Sequence, residues 1–390
     1  MIANQCLTMK FLFVAVLVLL NSVVTHQQSS CTLPGRTQQS TCVRLHYCTY
    51  FQDLIRKYNG RPPPDVVSNI KSHSCGSGDL ICCPDNAVDE AYPSLSPPRD
   101  LKTKNPNDIE NHRNIKLINE RTCGAISSNR IVGGVNANIR EFPWAALLGY
   151  QLVDQLVWQC GGSLISQRFV LTACHCITKE LVTVRLGEHT ISKQEDCDDS
   201  DQCADPIQDI KIDKKIKHPY FTRKTKENDI ALLKLVRPAD LTKNNVRIIC
   251  LPITHESDIE EFKKRNDNFV ITGWGRTGDQ SSSDILQKAF VPFVDLNTCN
   301  AIFNPENIQI YPVQLCAGYS QDFKNDKTDT CKGDSGGGLM AFNTLNGKPK
   351  AILYGVVTGG VKCEDSNKMY PGIFANIKYF LTWILDNLSE

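Results

Sequence analysis

A surplus of charge of one sign is the first thing this sequence lacks. Lys plus Arg number 43 and Asp plus Glu 42 among 390 residues, a balance that argues against nucleic acid or a polybasic membrane surface as the main partner. A membrane-spanning run is missing too. Phe11 to Leu20 is unbroken apolar sequence after Lys10, but it falls short of the ~20 residues that a spanning helix needs, so an anchor is the weaker reading. With Asn21-Ser22-Val23-Val24-Thr25 behind it, the run fits a secretory signal over residues 1–27, and the expected location is secreted and extracellular. Apolar periodicity is scarce between Pro84 and Arg121, where Pro93, Pro97, Pro98 and Pro106 stand among polar residues. That stretch reads as an exposed linker in which Leu117 and Ile118 are incidental.

Cysteine is what the chain has in excess, 18 in all, and beside a secretory signal it points to an oxidising compartment and a disulfide framework. Cys6 leaves with the signal, so one of the remainder must be odd. Cys31, Cys42, Cys48, Cys75 and the adjacent Cys82-Cys83 fall within about fifty residues, too few to hold a fold by burial alone. Six cysteines allow about fifteen pairings. Zinc ligation is the alternative, against which no matching His pair follows.

Past Cys123 the sequence turns to short β-type runs: 162–165, 169–172, 181–186, 230–235, 269–272, 289–294 and 351–357. Many short strands without intervening helical repeats predict an all-β architecture. Phe380, Ile384 and Leu388 recur at helical spacing, which predicts a terminal amphipathic helix over 378–388.

Cys331-Lys332-Gly333-Asp334-Ser335-Gly336-Gly337-Gly338 sets a serine among glycines. Such a turn can present a hydroxyl while backbone N–H groups point at the same spot, as acyl transfer requires. Ser335 is the candidate nucleophile. Because a serine hydroxyl is a poor nucleophile at neutral pH, it needs a general base. His175, in Leu171-Thr172-Ala173-Cys174-His175-Cys176, is the candidate, and Asp229, in Asn228-Asp229-Ile230-Ala231-Leu232-Leu233, would fix its tautomer.

Taken with Arg130-Ile131-Val132-Gly133-Gly134 ahead of them, these motifs resemble the chymotrypsin and trypsin family of serine proteases, over roughly Ile131 to Glu390. The six-cysteine cluster resembles the clip domain that precedes arthropod serine proteases. The chain therefore looks like an arthropod clip-domain serine protease. The resemblance implies an all-β fold of two six-stranded antiparallel β-barrels with a C-terminal helix, preceded by a small disulfide-rich clip domain. It divides the chain into a clip domain at 31–83, a linker and activation segment at 84–130 and a trypsin-like domain at 131–390. The pairings it implies are Cys31 with Cys82, Cys42 with Cys75, Cys48 with Cys83, Cys160 with Cys176, Cys299 with Cys316, Cys331 with Cys363 and Cys123 with Cys250. Cys197 and Cys203 would pair locally, leaving Cys174 as a buried small hydrophobe.

By the same resemblance the backbone N–H groups of Gly333 and Ser335 form an oxyanion hole, and cleavage after Arg130 frees an amino group at Ile131 that inserts beside Asp334. Asp329, six residues before Ser335, resembles the base of the trypsin pocket, where a carboxylate favours Arg or Lys. Gly360 and Gly372 match the small residues that keep its walls open. Gly359 departs from the pattern: it stands where relatives carry a large aromatic, and this predicts poor discrimination of residues upstream of the scissile Arg. Glu188, Thr190, Lys193 and Asp196 lie in a loop resembling the family's calcium loop, although the acidic run also reads as a solvated face. No cofactor is expected for catalysis; structural calcium is the one metal implied.

The function implied is a secreted zymogen cleaving protein substrates after Arg or Lys. The resemblance points to another zymogen as substrate, in an extracellular immune cascade such as prophenoloxidase or Toll activation. An upstream activating protease and a serpin inhibitor would be partners, with no nucleic acid and no membrane. The alternative is a non-catalytic clip-domain cofactor or adaptor. Such homologues typically lack the nucleophile, which here is present as Ser335.

Overall fold

The computed structural model describes residues 30–33, 39–45, 48–58, 62–75, 80–84, 87, 109–118, 122–126, 136–223, 225–254, 259, 268–275, 282–306, 308–318, 334–345, 347–359 and 370–389. They fall into two compact units, Met1–Leu101 and Lys102–Glu390.

The first unit holds an antiparallel sheet of β1 (Ser30–Thr32), β2 (Gln39–Arg44) and β3 (Leu80–Cys83), in that order. Helices α1 (Thr49–Arg56) and α2 (Pro64–Ser72) lie between β2 and β3 in sequence. Pro64 opens α2 in its first turn, where a missing N–H breaks no helical bond. Val43, Cys48, Phe51, Ile70, Ile81 and Cys83 are buried together, too small a core to offset the ordering of some fifty residues. The disulfides Cys31–Cys82, Cys42–Cys75 and Cys48–Cys83 supply the rest. In the chain-entropy account, loops of this size are each worth about 4 kcal/mol.

In the second unit β4 (Ala145–Gln151), β5 (Leu156–Ser166), β6 (Phe169–Thr172), β7 (Leu181–Leu186), β8 (Gln208–Lys217) and β9 (Ala231–Leu235) close a barrel in the order β4-β5-β6-β9-β8-β7. The remaining strands are β10 (Phe269–Gly273), β11 (Gln287–Val291), β12 (Phe293–Val294), β13 (Gln314–Ala317), β14 (Gly338–Leu345), β15 (Lys348–Gly359) and β16 (Gly372–Asn376). Their order is β11-β10-β14-β15-β16-β13-β12. The two end strands, β11 and β12, are consecutive in the chain and separated only by Pro292. Proline has no N–H to give to a ladder, so one physical strand is split in two. Its first half pairs with β10 and its second with β13, while Gly318 N donates to Pro292 O at 2.8 Å. Counted as one strand, 287–294 makes this sheet the second six-stranded barrel.

Helix α3 (Leu296–Phe303) begins at Asp295, whose carboxylate accepts the N–H groups of Asn297 and Thr298, both at 3.0 Å. A 3-10 turn, Ile377–Phe380, leads into α4 (Leu381–Asn387). Phe380, Ile384 and Leu388 are buried, as their spacing predicts.

One expectation fails. Residues 109–118 are no exposed linker: Ile118 is only 2% exposed, and Ile109, Ile115 and Leu117 pack on the same core. Asn114 Nδ2 donates to Leu385 O at 2.8 Å and to Leu388 O at 2.9 Å, satisfying carbonyls at the end of α4. His112 Nε2 lies 3.1 Å from Asp386 Oδ1. Local periodicity could not reveal this, because the receiving helix lies 271 residues downstream of Asn114. Further on, Gly124 N donates to Ile248 O at 2.8 Å, Ala351 N to Gly124 O at 2.9 Å and Lys350 Nζ to Cys123 O at 2.6 Å. Gly124 has φ 59°, and a Cβ there would run into the Ala351 backbone and meet Cys250 Sγ at 2.9 Å, so glycine is needed where the chain passes between β15 and the Cys123–Cys250 disulfide.

Candidate active site

His175 sits in a single 3-10 turn, Cys174–Cys176, that follows β6; Asp229 immediately precedes Ile230 and β9. β6 and β9 are paired neighbours, with Thr172 opposite Ala231, so the ladder brings the two residues together. Asp229 is fully buried and clamps the histidine twice. Oδ2 lies 2.6 Å from His175 Nδ1, and Oδ1 accepts the His175 backbone N–H at 2.9 Å. The ring is thereby fixed with Nε2 left for chemistry.

Several supports hold this turn, of which Tyr150 was not visible in the sequence. Buried Tyr150 donates its hydroxyl to Cys176 O at 2.8 Å, and burial pushes its phenol well above the usual tyrosine range. Cys160–Cys176 ties the same turn to β5. Cys174 is the free cysteine among the described residues. Its thiol donates to Ile230 O at 3.0 Å, and burial pushes it up to about 12, so it is a packed hydrophobe rather than a second nucleophile.

Ser335 lies on a turn held from three sides. Gly161 N donates to Ser335 O at 2.7 Å, Gly336 N to Val357 O at 2.8 Å and Gly337 N to Asp334 O at 2.8 Å. Gly336 has φ 81°, and a Cβ there would run into Thr172 Oγ1, which itself donates to Gly161 O at 2.8 Å. Cys176 Sγ comes within 3.5 Å of Ser335 O, so the histidine turn and the serine turn are in contact. Asp334 Oδ1 accepts Gly275 N at 3.0 Å, and a Cβ on Gly275 would come within 2.5 Å of the carboxylate. Gly372 begins β16 opposite Ala317 and is buried. Gly359 has φ 144°, and no described atom lies within 4 Å of where its Cβ would be. Arg130, Ile131, Asp329, Gly333, Gly360 and the Cys331–Cys363 pairing lie outside the described residues. Cys197–Cys203 and Cys299–Cys316 are formed as the resemblance implies.

The acidic loop tests the calcium expectation. Glu188 is buried; its Oε2 lies 3.1 Å from Arg185 Nη1 and its Oε1 accepts His189 N at 2.9 Å. Burial pushes its carboxyl above the ordinary range, and the Asp196 charge adds to this, against the His189 N–H and Arg185. Asp196 Oδ2 accepts Thr190 N at 3.2 Å, whereas Oδ1 is buried and accepts no hydrogen bond. The Thr190 carbonyl accepts Lys193 N at 2.9 Å. Two buried carboxylates, one with an oxygen that accepts no hydrogen bond and lies 3.6 Å from His189 Nδ1, offer a hard cation such as calcium its kind of ligand.

The fold and site define a two-barrel serine hydrolase with a disulfide-stapled module ahead of it. A family model described as Trypsin matches residues 131–384. The CLIP domain-containing serine protease HP8 of Bombyx mori is 34% identical, covering 90% of this chain and 92% of that protein. Phenoloxidase-activating factor 3 of Holotrichia diomphalia is 30% identical, covering 93% and 94%. The crystal structure of the Drosophila Grass clip serine protease of the Toll pathway is similar with a TM-score of 0.61 at 31% identity, covering 92% of this chain and 97% of that one. The chain belongs to the trypsin family, in its clip-domain branch, and is a trypsin-like serine endopeptidase. Such enzymes need no catalytic cofactor.

Proposed function

We propose that the chain is a secreted zymogen, activated by cleavage after Arg130, that cuts protein substrates after Arg or Lys. The observation that carries the reading is the double clamp of Asp229 on His175 beside the turn that presents Ser335. As Ser335 Oγ attacks the substrate carbonyl, His175 Nε2 takes its proton, and Asp229 stabilises the imidazolium that results. The N–H groups of Gly333 and Ser335 receive the oxyanion, each such donor being worth about 3 kcal/mol. His175 then returns the proton to the leaving amine, and water repeats the sequence on the acyl-enzyme. Asp329 selects the cationic side chain, between walls kept open by Gly360 and Gly372.

In the zymogen Asp334 rests on Gly275 N–H; after cleavage the Ile131 ammonium joins it and orders the oxyanion hole. Residues 1–27 are a signal, 31–83 the clip domain, 84–130 the linker and activation segment and 131–390 the protease. Glu188 and Asp196, with main-chain oxygens of Thr190 and Lys193, would hold calcium, which would stiffen the loop and supply no chemistry. Relatives named Phenoloxidase-activating factor 3 and Melanization protease 1 support a protein substrate within an immune cascade. An upstream protease and a serpin complete the partners.

The test is turnover of an Arg ester by full-length protein cut at Arg130. Ser335→Ala should fold, accept the cut and show no turnover, and Asp329→Ser should lose the preference for Arg and Lys. Wild-type rates in a clean Ser335→Ala preparation would sink the triad, and unchanged selectivity in Asp329→Ser would sink the pocket.

A further inference from the structure

A cation stands beside the catalytic carboxylate that the mechanism does not use. Lys226 Nζ lies 3.9 Å from Asp229 Oδ2, with the lysine side chain 39% exposed and the aspartate side chain fully buried. That separation is an ion pair but exceeds hydrogen-bond length. Both Asp229 oxygens already accept N–H groups of His175. Among the described residues nothing accepts a hydrogen bond from the Lys226 ammonium, so its donors remain available to a ligand arriving from solvent.

The backbone delivering this lysine is unusual. Lys226 has φ 56° and Asn228 φ 54°, in the left-handed region where asparagine is tolerated and a long side chain is uncommon. The loop is locked in that shape from within. Lys226 N donates to Thr222 O at 2.8 Å, Thr222 N to Glu227 O at 3.1 Å and Asn228 Nδ2 to Tyr220 O at 3.1 Å. A strained residue in a loop held by three such bonds, beside a catalytic pair, calls for a role.

We propose that Lys226 is a specificity-determining residue whose ammonium takes a substrate carboxylate, so that the enzyme prefers polypeptides carrying Asp or Glu close to the scissile Arg or Lys. This rests on the trypsin-like reading of the site and narrows its substrate class. Lys226 is one carboxylate removed from the His175 ring, and an extended substrate advances about 3.3 Å per residue. The acidic residue therefore lies within about three residues of the scissile bond. Gly359 offers no side chain for apolar contact whereas Lys226 offers a charge, so discrimination through Lys226 is by charge rather than by apolar burial. A substrate with its own Lys at that place meets a like charge and is rejected by the same group.

The experiment uses activated full-length enzyme and quenched-fluorescence peptides with a single Arg. Each of three positions on either side is set in turn to Asp or Asn, with no Lys in any peptide, and kcat/KM is read as the Asp-to-Asn ratio, which cancels general losses of activity. Wild type should show a ratio of about two to five at one position at low salt, shrinking at 1 M salt as screening sets in. Lys226→Gln should bring the ratio near one, Lys226→Glu should invert it and Lys226→Arg should keep it. A flat wild-type profile, or a ratio unchanged in Lys226→Gln, overturns the proposal. Failure of wild type to turn over a simple Arg ester would instead overturn the underlying trypsin-like reading.

Discussion

Replacing Asn114 by Asp tests whether the segment ahead of the protease domain is part of its structure. The change keeps size and shape but removes the N–H donors that reach Leu385 O and Leu388 O. Two net hydrogen bonds are worth about 2 kcal/mol. A carboxylate set against the negative end of α4 costs roughly 0.5 kcal/mol more. Since tenfold corresponds to about 1.4 kcal/mol, opening of 109–118 should become roughly fiftyfold more frequent. If the segment unfolds with the protease domain, the midpoint should fall by roughly 5 to 10 °C. If it opens alone, the signal is proteolytic, because Arg113 and Lys116 lie within it. Full-length Ser335→Ala protein, unable to cut itself, would be scanned calorimetrically and then digested with trypsin. The Asn114→Asp form should show a lower midpoint or new cuts after Arg113 or Lys116. Absence of both changes would refute the claim that Asn114 holds the segment to the last helix.

Calcium at millimolar concentration should raise the thermal midpoint by mass action, stabilising the folded form by about 2.7 kcal/mol when present at a hundred times its Kd. Glu188→Gln should abolish that shift while leaving Arg185 its bidentate bond to Asp209 at 2.8 Å; an equal shift in the variant would refute the site. Cys174 should resist alkylation at pH 8 in the native state, given a thiol pushed up to about 12, and label once on denaturation; no label, or ready native labelling, would refute its burial as a free thiol. Asp295→Ala should cost about 1 kcal/mol through loss of the α3 cap. The Thr298 hydroxyl and the N–H groups hold the Asp295 carboxyl below its ordinary value. The cap's contribution is therefore present above the ordinary Asp range and lost as pH falls through the depressed value, so a difference from wild type that persisted unchanged in acid would contradict the cap.

Strands rich in β-branched and apolar residues, such as Phe169–Thr172, buried throughout, and Leu181–Leu186, could be read from the sequence within a residue because burial and β-propensity largely agree there. β8 could not: Gln208–Lys217 carries four lysines and shows a barrel only through its partners β7 and β9. The run 289–294 reads as one strand, and the structure divides it because Pro292 changes which neighbour the backbone can serve. His175, Asp229 and Ser335 were legible because their chemistry demands particular residue types in recognisable local settings. Lys226 was not, since nothing in Thr225-Lys226-Glu227-Asn228 announces a left-handed turn aimed at a carboxylate three residues on. Tyr150 was hidden for a like reason, its acceptor being a backbone oxygen in the turn that carries His175, far along the chain.

The divided strand also governs how the second barrel comes apart. On one side of Pro292 the backbone is zipped to β10, with Val291 opposite Phe269; on the other it is zipped to β13, with Phe293 opposite Ala317. A crack running along either ladder reaches a residue with no proton to share, and the neighbour whose bonds it was breaking is no longer there. Pro292 thus acts as a crack arrestor. Amide protons of β11 and β12 should exchange with solvent as two independent populations, although they belong to one continuous length of chain.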